Sequence, residues 1–320
     1  MKDRMTYLDL ARITAIVLVV AGHFRPDFEP GWWGVLVRGI YSFHMPMLFF
    51  ISGYLYSLKK PESYKALLVS KFRRLVIPYL SASVVLILIK IPARHFFPVA
   101  NPVGPLSFLK IFYMPAAAPH LWFLWALWWM FIVVGLFRSK SSRAFLFLAA
   151  VVVSLLPFET TDLFCISEVK RCFVYFMAGC CAADGWLDWE SFLIRIKTVV
   201  PLLWLVCLVA YSLSGTENAV SYLFMGLLGS VAMLSLCKTA SGHMSPSAVR
   251  LSTEAALASF TVYLFHSAFI ALAMAVLDRM PFVLYAGLTV AAGFFGPLLI
   301  HEFLLKRFSL TGTLFAVKRQ

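Results

Sequence analysis

The chain has 320 residues, of which 61% are hydrophobic and only 13% are charged, and its mean hydropathy is +0.85. This composition excludes a soluble globular domain and is typical of a protein that crosses a membrane several times. The net charge of +13 must therefore be judged by where the basic residues lie relative to a bilayer. We expect the basic residues to contact membrane lipids and not nucleic acid.

Ten apolar stretches approach the roughly 20 residues that a transmembrane helix needs. They lie at about 6–24, 37–58, 74–93, 119–137, 143–158, 170–187, 198–214, 218–237, 255–276 and 281–305. The stretch at 143–158 is short and the one at 170–187 is moderately polar. The pattern predicts an all-α, polytopic membrane protein with about ten transmembrane helices.

The distribution of basic residues predicts the orientation of these helices. If the N-terminus is cytoplasmic, 19 of the 28 Lys and Arg residues fall in inner segments and 8 in outer segments or at outer helix ends. Because cytoplasmic loops carry the excess of Lys and Arg, both termini should be cytoplasmic. We expect a single transmembrane domain over 1–320 with no appended soluble domain, and an irregular, proline-rich outer lid at about 94–118.

The first apolar stretch contains two ionisable residues that share one helix face. Arg12 and His23 are eleven positions apart, which is about three turns and 16 Å of an α-helix. Ionisable groups inside a membrane helix usually face the protein interior and mark function. Asp9 lies one turn below Arg12 and is expected to pair with it.

The second stretch adds His44, in the outer half of the helix and near the level of His23. Pro46 predicts a kink, because proline cannot donate a backbone hydrogen bond. Ser52 and Gly53 are small enough to let another helix or a ligand approach closely. A kinked helix with one histidine bonded to a neighbour is an equally good interpretation of His44.

Arg73 and Arg74 lie where the third predicted helix leaves the cytoplasm. Such a pair often anchors a helix to lipid phosphates. Together with Arg12 it would instead form an inner anion site, since the planar guanidinium binds two phosphate oxygens at once. A donor with phosphates at one end and a reactive group on a long arm would fit a cationic inner mouth and an outer histidine.

The six cysteines do not have the spacing of a metal site, so we expect no metal. Cys165 and Cys172 could form a disulfide on an oxidising side of the membrane, but buried thiols are the preferred interpretation.

Several of these residues belong to longer sequence runs. The runs are YLD at 7–9 with Arg12-x10-His23, FHMPMLFFISGYL at 43–55, RRLVIPY at 73–79, HLWFLW at 120–125 and YLFH at 263–266. In this order they resemble the motifs of the acyltransferase-3 family of bacterial membrane acyltransferases. The second run is most similar to the fucose 4-O-acetylase-like branch. The first two runs are specific, whereas aromatic apolar runs such as the last two recur in membrane proteins.

The resemblance implies a membrane O-acyltransferase of the bacterial inner membrane. It would use acetyl-CoA or another acyl-CoA from the cytoplasmic side and acylate a hydroxyl of a cell-surface polysaccharide or lipid-linked sugar. Carried over to this chain, His23 and Arg12 are the catalytic pair, and Arg73 and Arg74 help to hold the donor. A neutral histidine suits general-base catalysis on a sugar hydroxyl.

Further residues are assigned supporting roles around acceptor or donor: Asp9, His44, Ser52, His120, Trp122 and His266. Trp122 could belong to an interfacial belt or to a sugar platform, and His266 could instead serve helix–helix hydrogen bonding. His301 and Glu302 are second-rank candidates near the inner end of the last predicted helix, where they could instead simply meet the headgroups. The alternatives to an enzyme are a transporter or flippase, in which the polar stripe would be a transport path, and a non-catalytic assembly component.

Overall fold

All regular structure in the computed structural model is helical. The structure describes residues 5–60, 62–96, 99 and 101–317, and these ranges contain no strand. Helices make up 77% of the described residues, so the all-α fold class is confirmed for this part of the chain. The terminal residues 1–4 and 318–320 lie outside the described residues, and the cytoplasmic placement of both ends stays a prediction.

The helices follow one another with short connections. In chain order they are α1 (Thr6–Gly22), α2 (Gly31–Tyr41), α3 (His44–Ser57), α4 (Tyr64–Lys71), α5 (Ile77–Ala93), α6 (Ser107–Lys110), α7 (Trp122–Val134), α8 (Lys140–Leu155), α9 (Ile166–Ala183), α10 (Trp189–Arg195), α11 (Val199–Ser214), α12 (Ala219–Ser241), α13 (Pro246–Leu277), α14 (Phe282–Ile300) and α15 (Ser309–Leu314). Short 3₁₀ turns at Pro119–Leu121 and Leu163–Cys165 and π-helical turns at Phe72–Val76 and His301–Leu305 connect or extend them.

The chain divides into two compact units, each assembled from three segments. The first unit comprises Met1–Pro61, Phe137–Pro157 and Arg171–Ser259. The second comprises Glu62–Leu136, Phe158–Lys170 and Phe260–Gln320. Helices α9 and α13 each contribute residues to both units.

A helix is present at each of the ten predicted apolar stretches, but fewer are long enough to cross a membrane. Counting helices that continue one another as one, five described helices are long and apolar enough to cross a membrane. They are Gly31–Ser57 (α2 with α3), Tyr64–Ala93 (α4 with α5), Ala219–Ser241, Pro246–Leu277 and Phe282–Leu305. A sixth results if α10 and α11, which meet at a bend of 70°, form one broken span. Helix α1, with 17 residues, is about 26 Å long. The protein therefore has several membrane-crossing helices, and the count of ten stays a prediction.

In the first unit, α3 and α9 cross with their backbones in direct contact. A Cβ atom added to Gly53 would lie 1.9 Å from the carbonyl oxygen of Phe176, and one added to Gly179 would lie 2.0 Å from that of Phe50. Gly53 of α3 thus faces the backbone of α9, and Gly179 of α9 faces the backbone of α3. The expectation that Gly53 permits the close approach of another helix is confirmed.

The helix is interrupted in the turn before Pro46, as the proline predicts. The interruption lies between α2 and α3, where Phe43 has φ −140°, and a proline ring at position 46 clashes with the carbonyl four positions earlier, that of Ser42. Pro46 itself lies in the first turn of α3. The backbone N–H groups of a first turn have no acceptor within the helix, so proline is tolerated there. The break leaves the carbonyl of Ile40 available to a side chain.

In the second unit, the π-helical turn Phe72–Val76 joins α4 to α5. The backbone N–H of Ile77 donates to the carbonyl of Phe72, five residues earlier. Pro78 follows, and a proline ring clashes with the carbonyl four positions before it, here that of Arg74. The wider turn relieves this clash and keeps Tyr64–Ala93 a continuous element of 30 residues.

Within the described part of 94–118 the regular structure is the single turn of α6, and the rest is irregular, as expected. Cys165 and Cys172 are both buried thiols, in agreement with the preferred interpretation.

Candidate active site

His23 caps the C-terminal end of α1 with its ring oriented by the backbone. Its Nδ1 lies 2.8 Å from the carbonyl oxygen of Val19, one turn earlier. Because a carbonyl can only accept, Nδ1 must carry the hydrogen in this contact, and Nε2 is then the nitrogen of the neutral ring that can accept a proton. This half-buried imidazole is in the tautomer that a general base needs.

Arg12 lies on the same helix and forms an ion pair with Asp9. Its Nη1 is 3.8 Å from Oδ1 of Asp9, with side-chain exposures of 29% for the arginine and 6% for the aspartate. The expected pairing of these residues is present. The continuous helix from Thr6 to Gly22 keeps Arg12 and His23 near one face.

His44 begins α3 and repeats the arrangement of His23. Its Nδ1 lies 2.7 Å from the carbonyl oxygen of Ile40, which the break between α2 and α3 makes available, and its side chain is buried. The ring of Tyr41 lies near both histidines, with centroids 5.2 Å from His44 and 6.4 Å from His23. His44 is therefore near the level of His23, as the sequence predicts.

Tyr41 is a residue that the sequence analysis missed. Its hydroxyl donates to the carbonyl of Gly22, 3.2 Å away, directly before His23. The sequence places Tyr41 three positions before His44, but this spacing alone does not indicate a contact with His23. That contact arises because α2 packs on α1. Ser52, by contrast, donates its hydroxyl to Leu48 of its own helix at 2.8 Å, which stabilises α3.

The second unit brings His120 and His266 together. Their ring centroids are 4.5 Å apart, and both side chains are buried. The Nδ1 of His266 lies 2.9 Å from the carbonyl oxygen of Tyr263, so Nδ1 carries the hydrogen and Nε2 is the acceptor nitrogen of the neutral ring. The Nε2 of His120 approaches the carbonyl oxygen of Leu264 at 3.4 Å. These contacts unite two motif runs that are far apart in the sequence.

Arg73 and Arg74 lie in the π-helical turn and are both exposed. This exposure suits an anionic ligand as well as lipid phosphates. They belong to the second unit, whereas Arg12 belongs to the first, and their use of a common ligand stays a prediction.

Tryptophans of α7 chiefly pack against neighbouring aromatic rings. Trp125 lies edge-on to Tyr79 at a centroid distance of 5.5 Å, and Trp128 lies 5.8 Å from Phe72. Trp122, at the start of the helix, is half-buried, which is compatible with both roles considered for it.

Of the two interpretations of His301, contact with the headgroups does not hold. Its side chain is buried, and its Nδ1 lies 2.7 Å from the hydroxyl of Thr261 on α13. Glu302 is exposed and pairs with Lys306 at 2.7 Å, which fits a surface role.

These observations define a class of protein, a multi-pass membrane protein whose helices present oriented imidazoles and guanidinium groups. The acyltransferase-3 family model, described as an acyltransferase domain, matches residues 5–302. The chain therefore belongs to the acyltransferase-3 family and is a membrane acyltransferase. No curated protein and no solved structure gives a significant match. The family is as the motifs indicate, while the fucose 4-O-acetylase-like branch stays a prediction.

Proposed function

We propose that this protein is an O-acetyltransferase of the bacterial inner membrane. It moves an acetyl group from acetyl-CoA, or a related acyl group from another acyl-CoA, to a hydroxyl of a cell-surface polysaccharide or lipid-linked sugar. Ten spans with both termini in the cytoplasm would give it access to donor and acceptor. The observation that carries the proposal is the oriented imidazole of His23, on the same helix as the Arg12–Asp9 pair, in a chain of this family.

In the proposed reaction, Nε2 of His23 takes the proton of the acceptor hydroxyl as the oxygen attacks the thioester carbonyl. The carbon–sulfur bond then breaks, and the thiolate of CoA leaves with the proton that the imidazolium returns. The products are an O-acyl sugar and free CoA thiol. His23 regains its starting tautomer, which the carbonyl of Val19 favours.

The arginines supply positive charge for the donor. Arg73 and Arg74 bind its phosphates, and Arg12 binds phosphate or stabilises the oxyanion that develops on the thioester carbonyl. Asp9 holds the Arg12 guanidinium in place. In the second unit, the imidazoles of His120 and His266, with Trp122 nearby in sequence, support acceptor binding.

The transporter alternative has no specific observation in its favour. Membership in an acyltransferase family favours chemistry over translocation, although the same polar groups could line a path.

The experiment compares envelope glycans by mass spectrometry from cells with and without the protein, together with purified protein in lipid nanodiscs. We expect an acetyl-sized mass difference on a glycan, and acceptor-dependent release of CoA thiol from acetyl-CoA. Glycans of identical mass, with no thiol release for any acyl-CoA and envelope acceptor, would overturn the proposal.

A further inference from the structure

A row of backbone carbonyls in the second unit is bound by side chains from distant helices. The row runs through residues 111–120, the irregular segment that leads into α7. Every third carbonyl accepts a hydrogen bond from a side chain. The pairs are Tyr79 with Ile111 at 2.7 Å and with Met114 at 2.8 Å, Lys90 with Ala117 at 2.8 Å, and Tyr263 with His120.

This segment satisfies only part of its carbonyls with its own backbone, as where the N–H of Ala116 donates to the carbonyl of Met114 at 2.8 Å. Pro115 and Pro119 lack the backbone N–H that a regular helix would use. Both ends of the segment are buried, since Ile111 is 2% exposed and His120 is 5% exposed. Buried irregular backbone is tolerated only where the protein or water satisfies its polar groups.

The segment ends at an imidazole. His120 is its last residue, and the hydroxyl of Tyr263 donates to the carbonyl of His120. The ring of His120 then lies 4.5 Å from that of His266. Because Tyr79 holds the start of the segment and Tyr263 its end, the two hydroxyls determine where this imidazole is placed.

Tyr79 is the last residue of the run RRLVIPY, and its hydroxyl binds backbone carbonyls and not a ligand of the arginines. The side chain is only 1% exposed, and its single hydrogen is shared between two carbonyls. Arg73 and Arg74, six and five positions earlier, are exposed. The run RRLVIPY therefore presents two arginines at a surface and directs its tyrosine into the interior.

We infer that Tyr79 and Tyr263 are positioning residues for acyl transfer, which act by fixing residues 111–120 and thereby the imidazole of His120. This inference rests on the proposed function, in which His120 supports acceptor binding. It predicts that removing either hydroxyl impairs turnover without affecting the donor, since neither tyrosine touches the proposed donor site.

The test uses the full-length protein with Tyr79→Phe, Tyr263→Phe and the matched control Tyr285→Phe. The control removes the same kind of bond in the same unit, from the Tyr285 hydroxyl to the carbonyl of Met274, but not from the segment. One readout is the kcat and the KM for acetyl-CoA. The other is the rate at which N-ethylmaleimide labels Cys165, located by peptide mass spectrometry.

Cys165 reports on the segment without requiring activity. It is buried, and the backbone N–H of the preceding Phe164 donates to the carbonyl of Tyr113 at 2.6 Å. Loosening the segment should expose it. The buried Cys237 of the first unit serves as an internal control for general unfolding.

We expect Tyr79→Phe and Tyr263→Phe each to lower kcat by roughly ten-fold, as for one lost hydrogen bond, with an unchanged donor KM. Labelling of Cys165, but not of Cys237, should become several-fold faster, and Tyr285→Phe should behave as wild type. Faster labelling with normal kcat, or lower kcat with unchanged labelling, would overturn the inference. If wild-type protein transfers no acyl group, the proposed function fails, while unchanged labelling in the two variants would separately refute the fixing of the segment.

Discussion

Replacing Gly53 with alanine tests the closest helix crossing in the structure. The added methyl group would lie 1.9 Å from the carbonyl oxygen of Phe176, whereas ordinary contact begins at 3.4 Å. The neighbouring atom is backbone and cannot rotate away, so α3 and α9 must separate by about 1.5 Å. Helix α3 carries His44, and the substitution should therefore disturb the site as well as the fold.

The cost follows from the packing that this separation removes. Gaps of 0.5–1 Å already forfeit about a quarter to a half of the dispersion energy between facing atoms. Overpacked sites typically lose about 1–3 kcal/mol, and helices in a bilayer have no hydrophobic force that compensates for poor packing. We expect a loss of about 3 kcal/mol and a fall of about 5 °C or more in the unfolding midpoint.

The assay is size-exclusion chromatography of a fluorescent fusion after heating in detergent. Gly287→Ala on α14 is the control, because a Cβ atom there meets nothing within 4 Å. Alanine in a helix interior is favoured over glycine by about 0.5–1 kcal/mol, so this midpoint should stay or rise. A Gly53→Ala midpoint equal to that of wild type would refute the crossing of α3 and α9.

Three predictions concern function and topology. His23→Ala should abolish transfer, a loss of about 10²–10⁴-fold, at an unchanged unfolding midpoint; normal turnover would remove the general-base role. Replacing Arg73 and Arg74 together with Gln should raise the KM for acetyl-CoA far more than that for the acceptor, whereas an unchanged donor KM would leave these arginines to headgroup anchoring. In a cysteine-free background, a cysteine at Asn101 should react with an impermeant maleimide on intact cells and cysteines in 59–71 should not; the reverse pattern would invert the topology.

The positions of the helices could be predicted from the sequence, but their lengths could not. An apolar window shows that a segment avoids water, which locates α1, α8 or α9 to within a few residues. It does not show where the backbone stops being helical. The break before His44 and the helix α10 depend on capping and packing, which window averages do not contain.

The local geometry of the candidate site could also be predicted, because it lies on one helix. Asp9, Arg12 and His23 are related by the 3.6-residue period alone. The partners from other helices could not be predicted, since no periodicity states which helices are neighbours. Tyr41 beside His23 and Tyr263 beside His120 are of this kind, and both act on backbone carbonyls that sequence patterns do not distinguish.

Arg143 is one of the 19 basic residues assigned above to inner segments, and the structure gives it a partner. Its Nη2 lies 2.7 Å from Oδ1 of Asp184, its Nη1 donates to the hydroxyl of Ser57 at 3.2 Å, and the two charged side chains are only 14% and 3% exposed.

Removing one member of a buried ion pair leaves an uncompensated charge and costs about 3–5 kcal/mol, whereas replacing both with apolar residues is often neutral. Arg143→Met and Asp184→Leu should therefore each lower the unfolding midpoint strongly, and the double variant should return close to wild type. Glu302→Gln, which breaks the exposed pair with Lys306, should change stability by less than about 1 kcal/mol. The prediction fails if the single variants lower the midpoint as little as Glu302→Gln does, or if the double variant loses the sum of the two single losses. Arg143 would then act only as a topogenic charge that orients the helices in the membrane.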